Sequence, residues 1–174
     1  MEMTRRWSMR KRGGSILALL VTALVVPTCA RAQDEAGARA AVEQLFEGMR
    51  TANSDMVRAV FAPGARFAML DSSDGSAGVR VQAVDAWTAA VGGSGGRWDE
   101  RVYDLDVRID GAMASIWAPY TFYLDGAISH CGINSIELLY DADGWKITQI
   151  SDTRRRDGCP DPRSEVLEEA LDQA

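Results

Sequence analysis

The strongest constraint on the fold is a run of three long strand-like segments between residues 112 and 153. The first, AMASIWAPYTFYL, is rich in aromatic and β-branched residues, and the pair Asp125-Gly126 that follows it is typical of a tight hairpin turn. The second, residues 128–140, leads through the turn DADG at 141–144 into the third. Strands of this length predict a large curved sheet, whose apolar face other elements must cover.

Segments upstream supply helices that could cover this sheet. Between Asp34 and Thr51 apolar side chains recur at helical spacing, and Asn53 can cap a second short helix that Pro63-Gly64 would end. Short strands are predicted at 66–70 and 79–81, and a third short helix is predicted at 84–91. One further strand, with one face exposed to solvent, is predicted at 97–109. Helices followed by mainly antiparallel strands predict one α+β domain with a pocket between its layers.

The first 32 residues are predicted to be an export signal. Basic residues at 5–12 precede an apolar run from Ser15 to Val26, and Ala30-Arg31-Ala32 fits the small-x-small rule for cleavage. This apolar run is shorter than the roughly 20 residues that a membrane-spanning helix needs. A retained anchor, a twin-arginine signal and a lipoprotein site at Cys29 are the less favoured alternatives. We therefore expect a periplasmic or secreted protein without a membrane segment after cleavage.

The charge of the exported chain excludes one class of partner. Removing the signal leaves 13 basic and 24 acidic residues, a net charge of −11. Nucleic acids and anionic lipid surfaces require clustered Lys and Arg, and the one cluster, at 154–156, lies between Asp152 and Asp157. We therefore expect no nucleic acid partner. The remaining length suits one domain at 33–159, followed by an acidic tail or short helix at 160–174.

The cysteines predict a disulfide. Cys29 leaves with the signal, so the exported chain keeps Cys131 and Cys159. Counting back from the turn at 141–144 places Cys131 opposite about residue 154, and Gly158 could bend Cys159 back towards it. A metal site built from His130 and the two cysteines would lack a fourth ligand and has no CxxC spacing, so we predict no metal and no cofactor.

Several motifs resemble those of a known superfamily. The element order, with EQLFEGMRTANSDMVRAVF at 43–61, ARFAML at 65–70 and DGWKITQI at 143–150, resembles the nuclear transport factor 2-like superfamily. The motif SHCG at 129–132, with SDTRR at 151–155 and Cys159, resembles exported members of its SnoaL-like and lumazine-binding-like branch. The resemblance covers about residues 36–159 and implies a cone-shaped α+β (cystatin-like) fold. The superfamily includes enzymes, binders and assembly domains, so the resemblance implies the fold rather than the function.

Three residues are candidates for acid–base catalysis. Asp71 matches the position of the catalytic base in ketosteroid isomerase, but neither oxyanion donor of that enzyme has a counterpart here. His130 is the only histidine, and Asp152 on the neighbouring strand could orient it as an acid–base pair, like those of dehydratases and cyclases with this fold. The estimated register places residue 152 opposite about 133, which makes the contact diagonal. A purely structural hydrogen bond of His130 is the alternative.

The pocket is expected to bind a small, partly apolar molecule. Six residues are predicted to line it: Phe46, Met49, Trp117, Tyr123, His130 and Asn134. Two alternatives remain, an isomerase, dehydratase or cyclase that uses His130 with Asp152 or Asp71, and a dimerising accessory module whose pocket is filled by its own side chains. Aromatic residues on the outer sheet face would favour a homodimer.

Overall fold

The computed structural model describes residues 35–71, 78–93 and 95–162. The predicted export signal and most of the predicted acidic tail lie outside the described residues. In chain order the elements are α1 Glu35–Arg50, α2 Ser54–Ala59, β1 Phe61–Asp71, β2 Gly78–Ala83, α3 Val84–Gly93, β3 Trp98–Val102, β4 Asp106–Asp110, β5 Met113–Leu124, β6 Ala127–Asp141 and β7 Gly144–Arg154. The predicted α+β class is confirmed.

The described strands form one sheet. Seven strands pair in the order β2-β1-β7-β6-β5-β3, and β4 pairs with β5 beside β3. The pairing of β1 with β7 is parallel and every other pairing is antiparallel. The three long segments of the sequence form the consecutive hairpins β5-β6-β7 at the centre of this sheet. None of the helices in the described ranges is long and apolar enough to cross a membrane.

Helix α1 covers the concave face of the sheet. Its predicted apolar stripe is buried as a set: Ala38, Ala41, Val42, Leu45, Phe46 and Met49. These side chains join a core with Ile116, Ile136, Leu138 and Ile147, each of which is 0% exposed. Burial of each such side chain contributes about 1.5–3 kcal/mol, so the contact between helix and sheet is the main source of stability. Helix α2 begins as predicted, since Asn53 Oδ1 accepts a hydrogen bond from the backbone N–H of Met56 at 3.0 Å.

Two predicted boundaries are wrong, and in both places a proline interrupts the hydrogen bonding of a strand. Helix α2 ends before Pro63-Gly64, which lies inside β1, where the register with β7 shifts between Phe61 and Arg66. The single strand predicted at 97–109 is two strands, and the break lies opposite Pro119 of β5. The backbone of Tyr103 donates to the Pro119 carbonyl at 3.1 Å, but proline has no N–H to donate in return.

A bulge in β7 shifts its register by one residue. Leu138 of β6 pairs with Ile147, but the next residue, Glu137, pairs with Gln149. Thr148 is therefore the extra residue of the bulge, and its hydroxyl donates to the Glu137 carbonyl at 3.1 Å. Beyond this point the register differs by one from a count made from the turn.

The bulge also decides which side chains of β7 face α1. Before it, Trp145 and Ile147 are buried on the concave side, and after it Ile150 and Asp152 take that side. Without the extra residue, strict alternation would place Asp152 on the outer face, opposite residue 133, as the turn count predicts. The structure instead pairs Asp152 with Asn134. The bulge therefore brings a carboxylate into the space under the helices.

The predicted disulfide is confirmed. Cys131 and Cys159 are bonded, with their Cα atoms 5.5 Å apart. Cys131 also exchanges two backbone hydrogen bonds of 2.9 Å with Arg155, which continues the β6-β7 ladder past the end of the strand. The chain after the disulfide lies against the outer side of β5, where the Thr121 hydroxyl donates to the Pro160 carbonyl at 2.8 Å.

Removing the disulfide is expected to lower the free energy of unfolding by about 1.5 kcal/mol. The bond spans a sequence separation of 28, for which loop-closure entropy predicts about 3 kcal/mol, and the hairpin that already holds the two ends together halves this value. Urea unfolding of the Cys131→Ala/Cys159→Ala variant measures the loss. Reductant should destabilise the parent protein by the same amount and leave the double variant unchanged. An equally stable double variant would contradict the expectation.

Candidate functional site

A cavity of about 440 Å³ lies between the helices and the concave face of the sheet. Its walls come from α1, α3 and six of the strands, and they are mostly Leu, Ile, Met, Phe and Trp side chains. The polar residues that line it are Gln82, Glu100, His130, Asn134, Asp152 and Arg154. A mainly apolar cavity with a few convergent polar groups is typical of small-molecule sites.

One wall of the cavity is a continuous series of aromatic rings. The ring centroids of Phe67 and Trp87 are 4.7 Å apart, those of Trp87 and Trp98 6.1 Å, and those of Trp98 and Phe122 6.1 Å. The imidazole of His130 ends the series, with its centroid 4.9 Å from that of Phe122. These rings come from β1, α3, β3, β5 and β6, so the fold assembles a broad apolar surface from distant parts of the sequence.

Glu100 and Asn134 form the central polar contact of the cavity. The Asn134 side-chain amide donates to Glu100 Oε1 at 2.6 Å, and Asn134 is 4% exposed. The contact reaches across β5, where the residue paired with Asn134 is Ala118. Because alanine has only a methyl group, it leaves space over the strand for the two longer side chains to meet.

Asp152 and Arg154 form an ion pair beside this contact. The shortest distance, from Arg154 Nη2 to Asp152 Oδ2, is 2.9 Å, and the Asp152 side chain is 8% exposed. The same guanidinium nitrogen lies 3.2 Å from the sulfur of Met69 on β1. The two residues are separated by one position on β7, after the bulge, so both point to the concave side.

Glu100 has the chemistry of a functional carboxyl group. Its pKa is raised from 4.5 to about 7, mainly because the group is buried. The charge of Asp152 also raises the pKa, whereas the hydrogen bond from Asn134 and the charge of Arg154 lower it. A carboxyl group with a pKa near neutral, inside a cavity, is a typical candidate for ligand recognition or proton transfer.

Five of the predicted site residues line this cavity together: Phe46, Met49, His130, Asn134 and Asp152. The predicted diagonal contact of His130 with Asp152 assumes that residue 152 lies opposite about 133; in the structure Asp152 pairs with Asn134 of β6, and His130 pairs with Phe122 of β5. His130 lies four residues from Asn134 along β6, about 13 Å at 3.3 Å per residue. The bulge in β7, invisible to a count from the turn, accounts for the one-residue difference between 133 and 134.

The structure places Trp117 and Tyr123 outside the cavity. The inner face of β5 carries Ala114, Ile116, Ala118 and Tyr120, so alternation turns the odd-numbered residues to the outer face. Trp117 is 54% exposed there, and Tyr123 is buried with its hydroxyl donating to the carboxylate of Asp161. Phe122 is the aromatic residue of this strand that faces the cavity. The prediction chose the wrong parity for β5.

Asp71 is the last residue of β1, and its Cα pairs with that of Arg154 on β7. Its side chain lies outside the described part of the structure, so its role as a base stays a prediction. The described ranges contain no group of three or more His, Cys, Asp or Glu that could hold a metal ion.

Sequence reasoning missed Glu100. The segment 97–109 carries many charged residues, and all of them were assigned to a wet face. Glu100, however, stands two residues from Trp98 and two from Val102, at the positions that alternate inwards. The available signal was a carboxylate at a strand position where alternation predicts an inward-facing, apolar side chain.

No family profile and no curated protein matches the sequence. Solved structures do match. A protein of unknown function with a cystatin-like fold from Nostoc punctiforme aligns over 72% of this chain and 94% of its own, with a TM-score of 0.56 and 7% identity. A proposed dehydratase of the nuclear transport factor 2-like family from Streptomyces avermitilis aligns over 68% and 93%, with a TM-score of 0.55 and 13% identity.

A third match is the β subunit of a proposed aromatic-ring-hydroxylating dioxygenase from Novosphingobium aromaticivorans, over 72% of this chain and 90% of its own, with a TM-score of 0.58 and 9% identity. Identities this low relate the proteins by fold and not by function. The narrower resemblance to the SnoaL-like and lumazine-binding-like branch stays a prediction. The helices on a curved sheet, the element order and these matches agree that the chain has the cystatin-like fold, the fold of the nuclear transport factor 2-like proteins that it matches.

Proposed function

We propose that the protein binds a small, partly apolar molecule in the cavity between its helices and its sheet. The observation that carries the proposal is the open volume of about 440 Å³, with aromatic walls and the Glu100–Asn134 contact inside it. Ligand sites typically have volumes of roughly 300–1,000 Å³ and a small number of placed polar groups. The rings supply apolar contact area, and the polar groups select and orient one end of the ligand.

Export to the periplasm or the medium is part of the proposal. The Cys131–Cys159 disulfide is compatible with an oxidising compartment, as are the signal-like first 32 residues of the sequence. A binder in such a compartment would meet molecules outside the cytoplasm. Denatured mass measurement of the exported fraction tests the cleavage after Ala32.

Binding of N-phenyl-1-naphthylamine, a neutral apolar fluorophore, is expected to quench the tryptophan emission with a Kd in the micromolar range. Trp87 and Trp98 line the cavity and would transfer energy to the bound probe, whereas Trp117 lies on the opposite face of the sheet. Trp98→Phe should reduce the transfer, and the matched change Trp117→Phe should leave most of it. Equal losses in both variants, or no binding, would contradict a ligand in this cavity.

An enzyme that catalyses isomerisation, dehydration or cyclisation is the second candidate. The observation that favours it is the Glu100 pKa of about 7, which suits a general base at neutral pH. In this proposal Glu100 joins His130, Asp152 and Asp71 as a candidate group. Once native mass spectrometry identifies the bound molecule, replacing Glu100 or His130 should cost at least a hundredfold in turnover for a catalyst, and only a modest change in affinity for a binder.

An accessory module without a ligand is less well supported. That function requires a pocket filled by the protein's own side chains, and the open cavity counts against it. We keep the homodimer as a proposal, because Met113, Trp117 and Leu139 are each at least 50% exposed on the outer face of the sheet. A monomeric native mass at micromolar concentration would exclude it.

A further inference from the structure

The charges inside the cavity do not balance. Two carboxylates, Glu100 and Asp152, face a single guanidinium, that of Arg154. Arg154 is already paired with Asp152 at 2.9 Å and contacts the Met69 sulfur at 3.2 Å. Within the described ranges, the hydrogen-bond donor to the Glu100 carboxylate is the neutral amide of Asn134. When ionised, it is a negative charge that no ion pair among the described residues neutralises, and Arg154 offsets it only in part.

Aromatic rings flank this carboxylate on two sides. Trp98 precedes Glu100 by two residues on β3, so both side chains point to the same face of the strand. Phe122 is the Cα partner of Glu100 on β5, which brings the two side chains next to each other. Aromatic faces attract cations within about 6 Å through the ring quadrupole. A carboxylate between aromatic rings is thus suited to a positively charged organic group.

We propose that the ligand of this cavity is an organic cation, an ammonium group on an apolar or aromatic body, with the ammonium group against Glu100, Trp98 and Phe122. The inference rests on the proposed binding function and adds the chemical class of the ligand. The apolar body lies against Phe46, Met49 and the remaining rings. The formal net charge of the whole chain, −6, also favours the approach of cations over anions.

An anionic ligand fits the site less well. It would have to displace Asp152 from Arg154 and then lie beside two carboxylates. Above the pKa of Glu100, a neutral ligand would leave the charge of this carboxylate without an added partner, which is costly in an apolar cavity. A cation reduces that cost, because it places an opposite charge beside Glu100, where the described cavity lining has only the guanidinium already paired with Asp152.

The proposal makes binding depend on pH. Glu100 is protonated below its pKa of about 7, so the affinity for a permanent cation should rise as the pH increases from 6 to 8. The other titratable groups facing the cavity are His130 from β6, and Asp152 and Arg154 from β7. Burial raises the pKa of Tyr120 on β5 above its ordinary value and the charge of Glu100 raises it further, so Tyr120 stays neutral in this range.

Three probes with the same ring system test the charge of the ligand: 1-naphthylmethyltrimethylammonium, 1-naphthylmethanol and 1-naphthylacetate. Quenching of the cavity tryptophans at pH 8 reports their binding. We expect the cation to bind at least tenfold more tightly than the alcohol, and the carboxylate to bind most weakly. If the alcohol or the carboxylate binds as tightly as the cation, the inference is overturned while the binding function stands. If no probe binds, both are overturned.

Two variants assign the effect to Glu100. Glu100→Gln keeps an oxygen that can accept from Asn134, and it should lower the affinity for the cation at least tenfold while leaving that for the alcohol within a factor of three. It should also abolish the rise between pH 6 and 8. His130→Gln should keep that rise, whatever its effect on the affinity at pH 8. Should Glu100→Gln fail to fold, the pH dependence of the parent protein and of His130→Gln decides, and a flat profile in the parent overturns the inference.

Discussion

Replacing Gly132 with alanine is expected to destabilise the protein by about 4 kcal/mol, enough to prevent stable folding. A Cβ atom at this position would lie 1.8 Å from the carbonyl oxygen of Thr153 and 3.0 Å from Cε1 of Tyr120. The first contact is with backbone, which cannot rotate away as a flexible side chain can. Overpacking of this kind costs about 1–3 kcal/mol where neighbours can still adjust.

The neighbours of Gly132 cannot adjust without a further loss. The Thr153 carbonyl accepts the hydrogen bond of the Tyr120 hydroxyl at 3.0 Å, and Tyr120 is 1% exposed. Moving β7 away would break this bond and leave a buried hydroxyl unpaired, at a further cost of about 1–3 kcal/mol. The disulfide at the adjacent Cys131 limits any larger movement of the same segment.

The matched control is Gly78→Ala on the edge strand β2. Among the described residues beyond its chain neighbours, no atom lies within 4 Å of the Cβ that this change would add, so the free energy of unfolding should change by less than about 0.5 kcal/mol. Urea unfolding of both variants, followed by circular dichroism, measures the difference. Similar stabilities of the two variants would show that β6 and β7 do not approach each other as closely as the structure has them.

The parts of the fold that were predictable depend on local patterns. The stripe of α1 follows the helical period, the turns DG and DADG mark the hairpins, and two cysteines remain for one disulfide. Each of these signals lies within one segment or follows from counting. They establish the layers and the order of the elements, because burial of one face per element leaves few other arrangements.

The site itself depends on features that a single segment does not reveal. The bulge at Thr148 inverts the parity of β7 and turns Asp152 to the concave side, although nothing in GWKITQISD marks an extra residue. The parity of β5 was equally ambiguous, since both of its faces carry aromatic residues, and Trp117 was assigned to the wrong one. Register and parity follow from pairing between strands, and the residues in the cavity change face with every one-residue shift.

Glu100→Gln is expected to stabilise the protein by about 2–3 kcal/mol at pH 8 and to have almost no effect at pH 4. Burial raises the pKa of Glu100 from 4.5 to about 7 in the folded state. Between these values the folded protein holds a proton that the unfolded chain has released, so the free energy of unfolding falls as the pH rises from about 4.5 to about 7. At about 1.4 kcal/mol per pKa unit the full loss would be about 3.5 kcal/mol, and the partial exposure of the residue reduces it.

Glutamine at position 100 has no charge to lose, so the variant should lack this slope while it keeps the acceptor for Asn134. Urea unfolding at intervals between pH 4 and pH 8 compares the two proteins.

Glu43→Gln, a change of the same chemistry at an exposed position of α1, is the matched control and should follow the parent at every pH. If the parent protein shows the same pH dependence of stability as Glu100→Gln, Glu100 is ionised in the folded state at little cost in free energy. A bound cation would then have no free-energy cost of an ionised Glu100 to reduce, which would contradict the inferred ligand class. Conversely, if Glu100→Gln is more stable than the parent protein and no longer binds the cation, the carboxylate of Glu100 destabilises the fold but is required for binding.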